Sequence, residues 1–199
     1  MNLAKEFKVA VIGDIGVGKT SLLMTQKIQS YEEKFGNGEI NYSFEFEINK
    51  LPIVLKVWEV DCSESYDEFR PLSYRDTDCF VIVFSYVDKD TLVHAERKWL
   101  REVKNNVTDP IVIFVMTKVD LKSDQNSEDI TTDKKIVTED LLESFKSRTE
   151  SHFLYECSSK QVGDVRLLWN KIAEIICDSK KTKRKRKLST TEKIKSLFI

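Results

Sequence analysis

No run of eighteen or more apolar residues occurs in the 199-residue chain, so the sequence offers no membrane-spanning helix of ordinary length. No leader is expected either: the opening MNLAKEFKVAVIG runs straight into a strand-like pattern, without the apolar core and cleavage site of a secretory signal. The four cysteines, Cys62, Cys79, Cys157 and Cys177, form no C-x-x-C pair, and free thiols in a reducing, intracellular compartment are expected. The two histidines, His94 and His152, lie near neither a cysteine nor a carboxylate cluster at ligand spacing, which argues against zinc. Charge of one sign is missing where it would be needed for a nucleic-acid-binding body. The last twenty residues carry nine Lys/Arg against one Glu, so the net charge of −1 conceals a tail at +8 and a body at −9. A tail of that charge seeks an anionic partner; the body does not.

What remains fits one soluble domain, with 41% hydrophobic and 33% charged residues. Short apolar runs at 7–13, 79–85, 110–116 and 153–159 read as buried strands. YSFEFEI (42–48) alternates and IVLKVWEV (53–60) follows it across NKLP, which predicts an antiparallel hairpin. Helical patterns fall at 19–29, 88–106, 138–148 (capped by Thr138) and 164–177. The order predicts an α/β fold: a mostly parallel sheet with one antiparallel hairpin and helices on both faces. Residues 122–137 read as an elaborated surface loop. The predicted organisation is a domain over 1–179, with an insert near 122–137, and a polybasic tail over 180–199.

After the first strand comes Gly13-Asp14-Ile15-Gly16-Val17-Gly18-Lys19-Thr20, a full G-x-x-x-x-G-K-[ST] match, followed by Ser21 at the start of a helix. Glycines let consecutive backbone N–H groups converge on phosphate oxygens at a positive helix end, Lys19 neutralises the β/γ-phosphates, and the Thr20 hydroxyl suits Mg²⁺. Thr117-Lys118-Val119-Asp120, after the strand at 110–116, fits [NT]-K-x-D. An aspartate there accepts from guanine's ring N–H and exocyclic amine, donors that adenine does not present together. ECSSK (156–160) follows the next strand and places Ser158, Ser159 and Lys160 beside the base, with an N–H of Ser159 or Lys160 for the guanine carbonyl. Each short motif alone is weak; three in order at strand ends are specific.

With YDEFRPLSYRDTDCFVIVFS (66–85), TKVDL and ECSSK in view, the chain resembles the small Ras-like GTPases, and within them the Rho branch, over residues 6–178. The resemblance implies a six-stranded P-loop GTPase fold with a Rho-type insert, GTP/GDP as ligand with Mg²⁺, and signalling through two switch loops. It implies effectors as partners, with exchange factors and GDI-like proteins, and no specific nucleic acid. It also places Tyr31 at the edge of the guanine.

The family's hydrolytic set is altered. Ile15 stands at the third loop position, where its branched side chain would crowd the γ-phosphate and an incoming arginine finger. The first switch, roughly 30–43, has no threonine; Asn37 or Gly38 falls where the metal-binding one belongs, and Asn37 could offer an amide oxygen. The D-x-x-G signature becomes Glu59-Val60-Asp61-Cys62, leaving Glu59 as an alternative metal ligand, and Ser63 replaces the water-orienting glutamine. An arginine finger alone contributes about 10³–10⁵ in rate. Little or no turnover is therefore expected, with no catalytic residue intact among Ile15, Glu59, Cys62 and Ser63. Two readings follow: a GTP-loaded Rho-like signalling protein, or a pseudo-GTPase interaction module that binds nucleotide weakly or not at all.

KKTKRKRK (180–187) attracts an anionic leaflet, and STTEKIKSLFI offers a capping box (Ser189, Glu192) for a short amphipathic helix. No cysteine follows Cys177, so a prenyl anchor is not expected. A cytoplasmic monomer, peripheral at the inner membrane surface, is the expectation; nuclear import and a solvated tail are the alternatives.

Overall fold

The computed structural model describes residues 4–33, 41–126, 135–149 and 153–197; of 123–126 and 183–197 it gives the backbone. Six strands, β1 (Lys5–Ile12), β2 (Asn41–Ile48), β3 (Leu51–Glu59), β4 (Cys79–Ser85), β5 (Ile111–Thr117) and β6 (Leu154–Glu156), form one sheet in the order β2-β3-β1-β4-β5-β6. Only β2 and β3 pair antiparallel, in the register Phe44↔Leu55; the other four pairings are parallel. The mixed sheet with its single hairpin is the predicted fold class.

The β2–β3 turn consists of Asn49 and Lys50, both at positive φ (53° and 62°), the two-residue geometry whose twist suits a hairpin. β3 begins two residues before the predicted Ile53, and Pro52 lies within it. Pro52 stands opposite Glu47 of β2, and because β1 pairs with β3 only from Ile53 onward, no ladder bond is asked of the proline on its β1 side.

Period-2 alternation in β1 divides the core. Val9 and Val11 face α1 (Lys19–Ile28) and α5 (Val162–Leu197), where Leu22, Leu23, Trp169 and Ile172 are buried. Ala10 and Ile12 face the opposite layer with Phe80, Ile82, Trp99 and Phe145. Each fully buried aliphatic or aromatic side chain contributes about 1.5–3 kcal/mol, so this two-faced core holds the loop ends in place.

Three elements differ from expectation. The helix over 88–106 is α2 (Lys89–His94), a π-helical stretch (Ala95–Leu100) and α3 (Arg101–Asn106) in unbroken succession. Such π segments frequently occur at functional sites. The insert is not surface throughout: Val137 is buried and donates its N–H to the Tyr86 carbonyl, which ties the loop's end to the core before α4 (Glu139–Thr149). Finally, the last helix does not stop near 177. The backbone stays helical to Leu197, so the basic segment continues α5, and Ser189 caps no separate helix. Lysine and arginine are good helix formers, and no glycine or proline interrupts the run.

Candidate functional site

β1 delivers the chain to Gly13 at φ +145°, and an added Cβ would come within 2.2 Å of the Val83 carbonyl oxygen. Gly18 (φ +100°) then caps α1, whose first turn carries no acidic residue. The helix end is therefore electropositive and unopposed, a built anion site. Lys19, 7% exposed, donates from Nζ to the carbonyls of Gly13 (2.9 Å) and Asp14 (2.8 Å), which holds its ammonium over the loop. Val17 is buried, and its carbonyl accepts from Thr117 Oγ1, linking loop to β5.

Two adjoining cavities open here. The larger, about 700 Å³, is bordered by Ile15, Gly16, Gly18, Lys19, Thr20 and Ser21 on the loop side and by Glu59 to Cys62 opposite. The smaller, about 250 Å³, is lined by Tyr31, Thr117, Lys118, Asp120, Leu121, Ser158, Ser159 and Lys160. Gly18, Ser21 and Lys118 belong to both, so the pair forms one continuous cleft. Lys118 adopts φ +59° and reaches back to donate to the Gly16 carbonyl (2.8 Å). Its stem therefore spans the boundary between the two halves.

In the smaller cavity Asp120 is held from both sides. Oδ1 accepts from Ser158 Oγ (2.7 Å), and Oδ2 lies 3.1 Å from Lys160 Nζ. Burial pushes its carboxyl up, but the Ser158 hydroxyl and Lys160 outweigh that and keep it below the ordinary carboxylate range. An ionised, fixed acceptor is what two N–H donors on one edge of a base require. The Lys160 amide donates to Ser158 Oγ (3.2 Å), while the Ser159 carbonyl accepts from Thr25 on α1.

The altered positions are arranged differently. Ile15 projects at the cleft mouth, 79% exposed. The Thr20 hydroxyl donates toward both oxygens of Glu59, at 2.8 and 2.9 Å. Cys62 is buried with its thiol 3.2 Å from the Val60 carbonyl, and burial pushes that thiol up. Ser63 does not line the cleft: its hydroxyl meets Ser65 and its amide donates to Asp61. That amide is the main reason the Asp61 carboxyl lies below its ordinary value. Asn37 lies outside the described residues. Among those described, no group of three or more His, Cys, Asp and Glu side chains could hold a metal.

Several residues that support the cleft were not legible as such. Asp14, inside the loop, accepts from the Trp99 indole (2.7 Å) and meets His94 Nδ1 (2.6 Å), so the π stretch grips the phosphate loop. The Arg70 guanidinium is buried against the Trp99 ring (4.9 Å) and donates to Glu102, Asp67 and the carbonyls of Asp61 and Ser63. Burial alone would lower the Arg70 pKa, but Glu102 and Asp67 raise it above its usual value. Trp99 reads in the sequence as one apolar helix position among several; nothing local marks it as a neighbour of residue 14.

A strand–loop–helix anion site next to a fixed carboxylate at the end of a parallel sheet defines a P-loop nucleotide-binding protein. The comparisons narrow that class. The Ras family profile matches residues 8–178. The chain is 31% identical over 179 residues to the Rho-related protein racM of Dictyostelium discoideum, covering 88% of this chain and 92% of that one. It is 32% identical over 162 residues to the human Rho-related GTP-binding protein RhoB, covering 80% and 83%. This chain belongs to the Ras family as a Rho-like small GTPase.

Proposed function

We propose that this Rho-like protein holds guanine nucleotide in the cleft and signals through effectors while hydrolysing GTP very slowly or not at all. One observation supports the reading: a single cleft gathers Lys19, Lys118 and a fixed Asp120, whereas Ile15 and Ser63 offer no group aimed into it that would activate water. Asp120, fixed by Ser158 and Lys160, would accept from the guanine edge, with the Lys118 stem and Tyr31 bordering the base. The Lys160 amide is already engaged, which leaves the Ser159 amide as the better donor to the guanine carbonyl. Gly13 to Thr20 and Ser21 would surround the phosphates.

The residues present fit Mg²⁺: a hydroxyl and a carboxylate already converge at Thr20 and Glu59, oxygen donors of the kind a hard divalent cation takes. When bound, the ion neutralises phosphate charge. At the attacking side, Ile15 presents only methyl groups and Ser63 is turned toward Ser65, so neither orients a water molecule. Control would then fall to abundance, location and modification. Exchange factors and GDI-like proteins are partners by family, and the basic continuation of α5 would bring the protein to an anionic membrane surface.

The pseudo-GTPase reading is favoured by one contact: Glu59 engages Thr20 with both carboxylate oxygens, satisfying those ligands inside the chain. Denaturing the purified protein and identifying the released nucleotide separates the two. Stoichiometric GTP or GDP supports the first reading, and an empty protein supports the second. Rapid phosphate release in a single-turnover assay with loaded GTP would overturn the slow-hydrolysis claim.

A further inference from the structure

Asp14 is a charge of the wrong sign for its place. The loop from Gly13 to Thr20 offers amides and a positive helix end to an anion, yet its second residue is a carboxylate. Two side chains hold that carboxylate. Trp99 Nε1 donates to Oδ1 at 2.7 Å, and His94 Nδ1 lies 2.6 Å from Oδ2. The two contacts differ in kind. The indole N–H is a permanent, neutral donor, whereas an imidazole adds a full positive charge when it is protonated.

The π stretch is what lets both reach one carboxylate. On an α-helix, residues five apart lie about 140° apart around the axis, so His94 and Trp99 would point to different sides. The Ala95–Leu100 stretch winds with i→i+5 hydrogen bonds, which bring positions five apart toward one side. It is also anchored from α4, where Arg148 donates to both oxygens of Glu96.

Among the described residues, Asp14 is the one charged group that pairs with His94. On the same helix Asp90 stands one turn before it and Lys98 one turn after. Lys98 lies 3.6 Å from Asp67 and over the Trp99 ring, Arg97 is exposed, and Glu96 is engaged by Arg148 of α4. Within the loop, Lys19 touches residue 14 through its backbone carbonyl and not its carboxylate. No other cation therefore offsets the Asp14 charge.

We propose that His94 is a proton-sensitive positioning residue for the phosphate loop: charged, it neutralises Asp14 and steadies the loop around nucleotide; neutral, it leaves an uncompensated negative charge beside the phosphates. The proposal rests on the nucleotide reading of the cleft and adds a control to it. Because the nucleotide-bound state favours the protonated imidazole, retention rises as pH falls through the range where histidine takes up its proton, between pH 8 and 5. His94 is 52% exposed, so solvent screens the pair and the effect is modest, about two- to fivefold.

The test follows release of a fluorescent GDP analogue from the full chain between pH 6 and pH 8, at fixed Mg²⁺ and ionic strength. The wild-type protein should release it about two- to fivefold faster at pH 8 than at pH 6. His94→Asn keeps a donor without the proton and should release at the wild-type pH 8 rate throughout. The analogue's own titration is common to both proteins, so the difference between them is the readout. A pH slope that survives in His94→Asn, or no slope in the wild type, would overturn the proposal. A second measurement needs no substitution at position 94. The chain has two histidines, so imidazole ¹⁵N spectra of the wild type are assigned by comparison with His152→Gln. Nδ1 of His94 should carry a proton across the whole range; a proton on Nε2 alone would break the contact and the proposal with it. Failure of the wild type to hold the analogue at any pH would instead remove the nucleotide reading, and this role along with it.

Discussion

The two halves of the nucleotide cleft are built from the same loop-at-strand-end arrangement, yet they treat their side chains in opposite ways. In the base half, Asp120 is clamped by Ser158 and Lys160. Thr117 ties to Val17, and Lys118 ties to Gly16. In the terminal-phosphate half, Ile15 stands in solvent, Cys62 is folded inward and Ser63 turns to its neighbour Ser65. On the proposed reading, the difference makes recognition and hydrolysis physically separable tasks. Preorganised acceptors hold a base by existing contacts, whereas hydrolysis needs groups aimed at a position that only a transition state occupies. Side chains can be lost from the second task without disturbing the first.

The largest expected effect tests the furnished half. Asp120→Ala removes a charged acceptor for two hydrogen bonds, each worth about 1.5–3 kcal/mol, so GDP and GTP affinity should fall by about 10²–10⁴-fold in calorimetry. An unchanged Kd would erase the contrast between the halves. Next comes repair of the other half. Ile15→Gly combined with Ser63→Gln should raise the single-turnover hydrolysis rate by about 10–100-fold while changing nucleotide affinity little. A rate that does not move would place the defect at Glu59 or in the first switch instead.

The smallest effect sharpens the comparison through pH. Ser158→Ala removes one of the hydrogen bonds that keep Asp120 low and should cost about 1 kcal/mol of stability at neutral pH, measured by urea unfolding. A carboxyl held below its unfolded value stabilises the fold above roughly pH 4, and that contribution disappears as pH falls through the folded value. The penalty of the substitution should therefore shrink in acid. A constant penalty at every pH would mean that Ser158 acts by packing alone.

Much of the fold was legible because its signals are local. Alternation in YSFEFEI, the apolar run CFVIVFS and the glycines before Lys19 each report on a residue's immediate surroundings, and the elements appear where those signals fall. That the two segments lining the smaller cavity meet was legible for the same reason: TKVD and ECSSK are short and sit at strand ends. The supports of the cleft were not. Asp14 is 85 residues from Trp99, and Arg70 is 32 from Glu102. No pattern within a helix or a loop encodes such a meeting. α5 runs past the expected end near 177 for a related reason: a run of like charges reads as a tail beyond the fold, although lysine and arginine extend a helix that is already nucleated by packed turns.

By itself, then, the sequence determined which segments become strands and helices, where the chain must turn sharply enough to expose its amides, and which atoms are chemically able to meet guanine and phosphate. These are matters of near-neighbour sterics and periodicity. Only the tertiary structure decided that a π stretch would grip Asp14 and that Arg70 would lie under the 61–63 segment against Trp99. Those outcomes depend on how parallel crossovers bring distant segments together, and that is settled by packing the two faces of the sheet as a whole.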